Sequence, residues 1–203
     1  MSTVSSPALA PCANTIGQKI VDTACVLITE QGFAGMSMRS LAKLVGMHAG
    51  SLYNHFPSKK DLLEEVMDQL HQQRLAAWKL EKAKHQSTPQ LLEAFIRFNV
   101  RRQLTDAAEE RLLKTELCHL DSAQQSHVLE QEQRYSMELI LILQRGMKEG
   151  HFQKIDAEVV AHGILGITTC TLSLKRSCDL LEPQLSQLVS GMVHQLLSPS
   201  AHN

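Results

Sequence analysis

Apolar positions recur every three or four residues along most of this chain, and no stretch of any length alternates with the period of two that a strand requires. The chain therefore reads as all-α. From Thr15 to Gln31, Ile16, Ile20, Ala24, Leu27 and Ile28 fall on one helical face, with Gly32 as a stop and Phe33 as a core plug. Ser37 is a good N-cap for a short second helix with Leu41, Leu44 and Val45 turned inward. Gly46 permits a sharp turn into a third helix, roughly His48 to His55, whose Leu52 and Phe56 point to the core. Pro57 breaks the chain, and Ser58 caps a long helix from about Lys59 to Lys84.

Ser87-Thr88-Pro89 opens the next helix, to about Leu104, and another follows to His119 or Leu120. A longer one begins at Asp121 or Ser122 and ends at Glu149-Gly150. Asp156 caps a helix running to about Cys178, and Glu182-Pro183 starts a last one to Leu197. The pattern predicts about nine helices in two domains. Residues 15–60 form a three-helix helix-turn-helix unit and 61–203 a helical body, behind a Ser-, Ala- and Pro-bearing tail over 1–14 that reads as flexible.

The formal net charge of −1 conceals an asymmetry. Residues 1–60 carry Lys19, Arg39, Lys43, Lys59 and Lys60 against Asp22 and Glu30, a balance of +3, which leaves −4 for the rest. A basic head on an acidic body suits an anionic partner. Five cysteines, odd in number and without Cys-x-x-Cys spacing, argue against a disulfide framework and a structural zinc site. The start of the chain lacks the basic and apolar regions of a signal peptide, and the longest apolar run, Leu139 to Leu143, is too short to span a bilayer. The expected location is the cytoplasm, with no membrane partner.

An α-helix fits the major groove of B-DNA if small residues let its leading end approach the bases. Ala49, Gly50 and Ser51 lie at that end of the third helix. Ser51, Tyr53 and Asn54 are placed outward: Asn54 suits a base edge, Tyr53 and His55 suit phosphate oxygens, and Lys59 stands where the next helix begins. Arg39 on the second helix is placed to reach a guanine or a phosphate. Residue by residue, an ordinary solvated face explains as much; the joint pattern favours nucleic acid.

From about Thr15 to Leu63 the sequence resembles the DNA-binding domain of the TetR family of bacterial regulators. The resemblance rests on Gly32-Phe33, on Ser37-x-x-x-Leu41-Ala42, on Gly46, and above all on Leu52-Tyr53-Asn54-His55-Phe56-Pro57-Ser58-Lys59-x-x-Leu62. It implies that Ser37, Arg39, His48, Ala49, Gly50, Ser51, Tyr53, Asn54, His55 and Lys59 form the DNA-facing set. Two residues depart from the family pattern. Met36 replaces a hydroxyl residue, and His48 takes a usual Ser position, where a ring nitrogen could cap the third helix.

The resemblance also implies a homodimer on a pseudo-palindromic double-stranded operator, released by a small-molecule effector bound in the body. Candidate effector contacts are Trp78, Phe95, Phe98, Asn99, Glu116, His119, Tyr135 and Thr169. Thr115 to Leu120, Gly146-x-x-x-Gly150-x-Phe152 and Asp156 resemble regulators that sense acyl-CoA thioesters, so an acyl-CoA or another largely apolar metabolite is the expected effector. Ala161, Gly163, Ile164 and Ile167, with Leu185, Leu188, Val189, Met192 and Leu196, are candidates for the dimer interface. A many-layered monomeric core would use the same residues. A regulator controlled by a protein partner, or an activator, is the alternative reading. No His-Glu-x-x-His, Gly-rich phosphate loop or nucleophile elbow is present, so neither an enzyme nor a cofactor or metal site is expected.

Overall fold

The computed structural model describes residues 15–178 and 180–198. They form ten α-helices and no strand: α1 Ile16–Gly35, α2 Met38–Val45, α3 Ala49–His55, α4 Lys59–Lys82, α5 Thr88–Thr105, α6 Ala107–Thr115, α7 Ser122–Lys148, α8 Ala157–Thr169, α9 Thr171–Cys178 and α10 Glu182–Leu197. A short 3-10 turn, Leu117–His119, follows α6. The tail expected over 1–14 lies outside the described residues. The chain divides into two compact units between Val66 and Met67, inside α4.

In the first unit the helices begin and end where local chemistry dictates. Gly32 has φ 74° and ψ 160°, a non-helical break inside α1, and Gly46 has φ 77°, the left-handed C-cap of α2. A residue with a Cβ would be strained at both. Ser37 caps α2 in a reciprocal box: Ser40 N–H donates to Ser37 Oγ at 3.1 Å, and Ser37 N–H donates to Ser40 Oγ at 3.3 Å. Lys19 of α1 donates to the Val45 carbonyl at 3.1 Å, which ties the end of α2 back to α1. Ile20, Ala24, Ile28, Phe33, Leu41, Leu52, Leu62 and Leu63 fill the core. Leu44 does not join them: it is 59% exposed. Met38, Leu41, Ala42 and Val45 already complete the i, i+3, i+4, i+7 stripe of α2, and Leu44 falls beside it.

The second unit is larger. Its core joins Trp78 of α4, Leu92, Phe95 and Ile96 of α5, Tyr135, Leu139 and Leu143 of α7, Ala161 and Ile164 of α8, and Leu185, Val189 and Val193 of α10. The helix expected from Asp156 to Cys178 is interrupted at Cys170. There the hydroxyls of Thr168 and Thr169 both donate to the Leu165 carbonyl at 2.9 Å, and Thr171 donates to the Thr168 carbonyl at 2.7 Å. Three hydroxyls competing for the carbonyls of one turn loosen the helical ladder there. Residues Ala157–Lys175 are apolar enough, by length and composition, to cross a membrane. Ala161 and Ile164 of that stretch nevertheless lie in the core, while Val159 is 69% exposed.

Candidate DNA-recognition face and effector region

Leu52, fully buried, anchors α3 and fixes which way the helix faces. Ser51, Tyr53, Asn54 and His55 are consequently exposed, Tyr53 by 48%, and Phe56 is half-buried beneath them. Gly50 is exposed, and a Cβ there would meet nothing within 4 Å. Packing within the chain therefore does not demand a glycine at this point. Ala49 is half-buried and His48 exposed; His48 precedes α3 without a side-chain capping bond, so the cap expected of its ring is not made. Ser37 and Arg39, at the start of α2, are exposed.

Lys59, expected in the DNA-facing set, is half-buried. Its ammonium lies 4.2 Å over the Phe33 ring and donates to the Ala34 carbonyl at 3.5 Å. It fastens the start of α4 to the end of α1 by a cation–π contact and a long hydrogen bond. The free basic groups beside α3 are instead Arg39, Lys43 and Lys60, all exposed. A sequence signal could have found this environment: residues 31–60 contain no Asp or Glu.

In the second unit, five of the eight expected effector residues come together. Trp78 meets Phe95 edge-on at 4.8 Å and Phe98 at 5.7 Å, and Phe95 stacks on Tyr135 at 5.4 Å. The Tyr135 hydroxyl donates to Asn99 Oδ1 at 3.1 Å, and Asn99 donates back to the Phe95 carbonyl at 2.9 Å. Burial pushes the Tyr135 hydroxyl well above the ordinary phenol range, so it stays a neutral donor. The other three lie apart from this cluster. Glu116 and His119 pair with each other at 3.3 Å beside the 3-10 turn, and Thr169 is exposed and accepts from Lys114 at 3.0 Å.

Sequence reasoning missed the ionic cluster that backs this aromatic group. The Arg74 guanidinium lies 4.2 Å over the Tyr135 ring. It contacts His71 Nδ1 at 2.9 Å, Glu132 at 3.3 Å and Glu110 at 3.7 Å. Glu110 in turn accepts from Arg102 at 2.9 Å and from Gln103 at 3.1 Å. Burial and the neighbouring Arg74 pull His71 down to about 4. The available signal was that His71 and Arg74 continue the stripe Met67, Leu70, Trp78, placing two polar residues at core positions of α4.

Glu132 also lines a groove of about 550 Å³ between α7 and α8. Its walls are Leu129, Met137, Ile140 and Leu165, with Gln133, Ser136, Glu158 and His162. A space of this size, with four apolar and five polar side chains in its walls, suits a small molecule that carries a polar group.

Of the expected interface residues, Ala161, Ile164, Leu185 and Val189 face the unit's own core. Those four side chains are already packed within the unit. Gly163, Leu188, Met192 and Leu196 are exposed and Ile167 is half-buried; Val159 and Gly166 add to the exposed apolar surface of α8.

Residues 20–66 match the family model of bacterial regulatory proteins of the tetR family, and residues 85–172 match that of the tetracyclin repressor-like C-terminal domain. Among curated proteins, the chain is 24% identical over 143 residues to the HTH-type transcriptional repressor KstR2 of Rhodococcus jostii, covering 70% of each. Among solved structures, the superantigen PfiT has a TM-score of 0.82 at 22% identity, over 94% of this chain and all of that one. AibR, solved in complex with isovaleryl coenzyme A and operator DNA, has a TM-score of 0.73 at 23% identity, over 91% of this chain and all of that one. With both its head and its body matched, the chain belongs to the tetR family of bacterial transcriptional regulators.

Proposed function

We propose that the protein is a homodimeric cytoplasmic repressor that grips a pseudo-palindromic operator through α3 and releases it on binding a small molecule. The exposed face of α3 carries this reading. Tyr53, Asn54 and His55 are held outward by buried Leu52, in a stretch, residues 31–60, that carries Arg39, Lys43 and Lys60 and contains no Asp or Glu. Asn54 offers the paired donor and acceptor that an adenine edge requires, Ser37 and Tyr53 offer hydroxyls to phosphate, and Gly50 leaves room for the backbone to approach. Two such faces, related by a two-fold axis, would read half-sites about one helical turn apart or a multiple of it. Lys59 takes a positioning part, holding the start of α4 against Phe33.

Dimerisation is assigned to the outer faces of α8 and α10, where Val159, Gly163 and Gly166 lie on one helix and Leu188, Met192 and Leu196 on the other. A helix apolar on its inner and outer sides is stabilised by burying both, which accounts for the hydropathy of Ala157–Lys175. Repression is assigned by likeness to KstR2, and a small organic effector by likeness to AibR with its isovaleryl coenzyme A. The α7–α8 groove favours a small-molecule sensor over a regulator that answers a partner protein.

The test is binding of the purified protein to DNA upstream of its own gene, followed by anisotropy at several salt concentrations. A specific site with two inverted half-sites and a steep salt slope is expected. Sequence-independent binding, or none, would overturn the reading. Leu188→Glu with Met192→Glu is expected to give a monomer in sedimentation and to abolish cooperative operator binding.

A further inference from the structure

The Arg74 guanidinium is held less completely than its burial demands. Arg74 and His71 are 5% and 3% exposed, yet Arg74 Nε and His71 Nε2 have no hydrogen-bond partner. Arginine only donates, so His71 Nδ1, which faces Arg74 Nη2 at 2.9 Å, must accept. Nε2 of the neutral ring then carries the proton. The cluster therefore holds two buried N–H donors without an acceptor, an arrangement that costs stability while they stay unmet.

The carboxylates that neutralise Arg74 are also distant. Charge-assisted N–H···O bonds lie near 2.7–2.9 Å, whereas Glu132 stands at 3.3 Å and Glu110 at 3.7 Å. Glu110 is better engaged elsewhere, accepting from Arg102 at 2.9 Å and from Gln103 at 3.1 Å. Glu132 is the loosest member, with a side chain 47% exposed in the wall of the α7–α8 groove. It connects the groove to the buried arginine.

We propose that Arg74, positioned by His71, is the receptor for the carboxylate of a small organic acid, and that Glu132 is the resident carboxylate which that acid displaces. The ligand's apolar part lies in the groove against Leu129, Met137, Ile140 and Leu165. Its carboxylate takes the Nε and Nη2 edge of Arg74 with two parallel bonds, while His71, accepting from Nη2 through Nδ1, holds the guanidinium in place. Glu132 swings outward into solvent, which its exposure permits. The assignment rests on the reading that the second unit senses a small molecule, and it names the class of that molecule. The groove's own charges make the opposite choice testable: Glu132 and Glu158 would instead favour an organic cation if Arg74 took no part.

The experiment is calorimetric titration of the full chain with butyrate, hexanoate, octanoate and decanoate, and with the matching alcohols and amines. Trp78, the single tryptophan, gives a second signal from the aromatic cluster that Arg74 covers. At least one carboxylate is expected to bind, on the order of tenfold tighter than its alcohol or amine. Arg74→Gln is expected to remove that preference. Its fold is checked by circular dichroism, and Glu110 keeps Arg102 and Gln103 as donors in the variant. Glu132→Ala, at a half-exposed site, is expected to tighten carboxylate binding several-fold because the internal competitor is gone. Tighter binding of the amines, weaker carboxylate binding in Glu132→Ala, or no heat and no change in emission with any carboxylate overturns the proposal. Operator binding without ligand, measured on the same preparations, separates this failure from failure of the DNA-binding reading.

Discussion

The two units deploy polar residues in opposite ways. In the first, the polar groups assigned to function stand free on a surface: Tyr53, Asn54 and His55 are exposed, and Leu52 and its neighbours carry the packing. In the second, His71, Arg74, Asn99, Glu110 and Tyr135 are buried and bonded to one another, so function and stability rest on the same atoms. A DNA backbone and its base edges come to a surface and can be met by groups that water otherwise solvates. A small effector must be enclosed, so its receptor is buried among groups that mostly bond one another, and the few donors left unmet, such as Arg74 Nε, are what a ligand can fill. Mutations should consequently separate binding from stability in the first unit and entangle them in the second.

Glu110 should give the largest effect. Glu110→Ala leaves the half-buried Arg102 and Gln103 without this acceptor and strips the buried Arg74 of one of its two carboxylates. Removing one partner from a buried pair costs about 3–5 kcal/mol, to be read from urea unfolding followed through Trp78. Tyr53→Ala, on the exposed face, is expected to change stability by no more than about 0.5 kcal/mol. Comparable losses in the two variants would erase the contrast.

The second effect depends on pH. His71 titrates near 4 in the folded chain against 6.5 in the unfolded one, held down by burial and by Arg74 while Glu132 pulls the other way. Between those values the unfolded chain binds the extra proton, so stability falls as pH drops from about 6.5 towards 4 and levels below that. At about 1.4 kcal/mol per pKa unit, the loss approaches 3 kcal/mol. His71→Phe is expected to flatten this part of a melting-temperature profile between pH 7 and pH 4.

In the first unit, Asn54→Ala is expected to cost about 1–3 kcal/mol of operator affinity and to relax base preference at one position of each half-site. Arg39→Ala, if it meets phosphate, weakens all sequences evenly and lowers the salt slope by about one. Both variants are expected to melt with the parent. Affinity is measured by anisotropy on the operator and on a scrambled duplex.

Legibility follows the same division. The first unit was readable because its determinants are local: Gly32 and Gly46 at their turns, Ser37 at its cap, and Leu52 setting the outward residues within one short helix. What it left unread needed tertiary information. Leu44 required knowing which stripe of α2 was already complete, and the tether of Lys59 joins residues 25 apart in sequence. In the second unit the aromatic members could be guessed from type and helical spacing. The Arg74–Glu132 contact spans 58 residues, and no local pattern announces such a pairing. The interruption at Cys170 was nearly legible, since Thr168, Thr169 and Thr171 all carry hydroxyls able to compete for backbone carbonyls.

Ser37 tests how strictly the first unit separates the two roles, because it is assigned both. Its hydroxyl accepts from Ser40 N–H at 3.1 Å and pairs with Ser40 Oγ at 2.9 Å, yet the residue is exposed at the start of α2 beside Arg39. Ser37→Ala removes the cap and is expected to cost about 1 kcal/mol of stability. Ser37→Gly is expected to cost only a few tenths, since glycine is itself tolerated at an N-cap. Both variants lack the hydroxyl, so any phosphate contact it makes is lost equally in the two. Equal losses of operator affinity, set against unequal losses of stability, would establish Ser37 as a DNA contact in its own right. Affinity that tracks stability across the pair would leave Ser37 as a cap alone, acting on DNA only through the placement of α2.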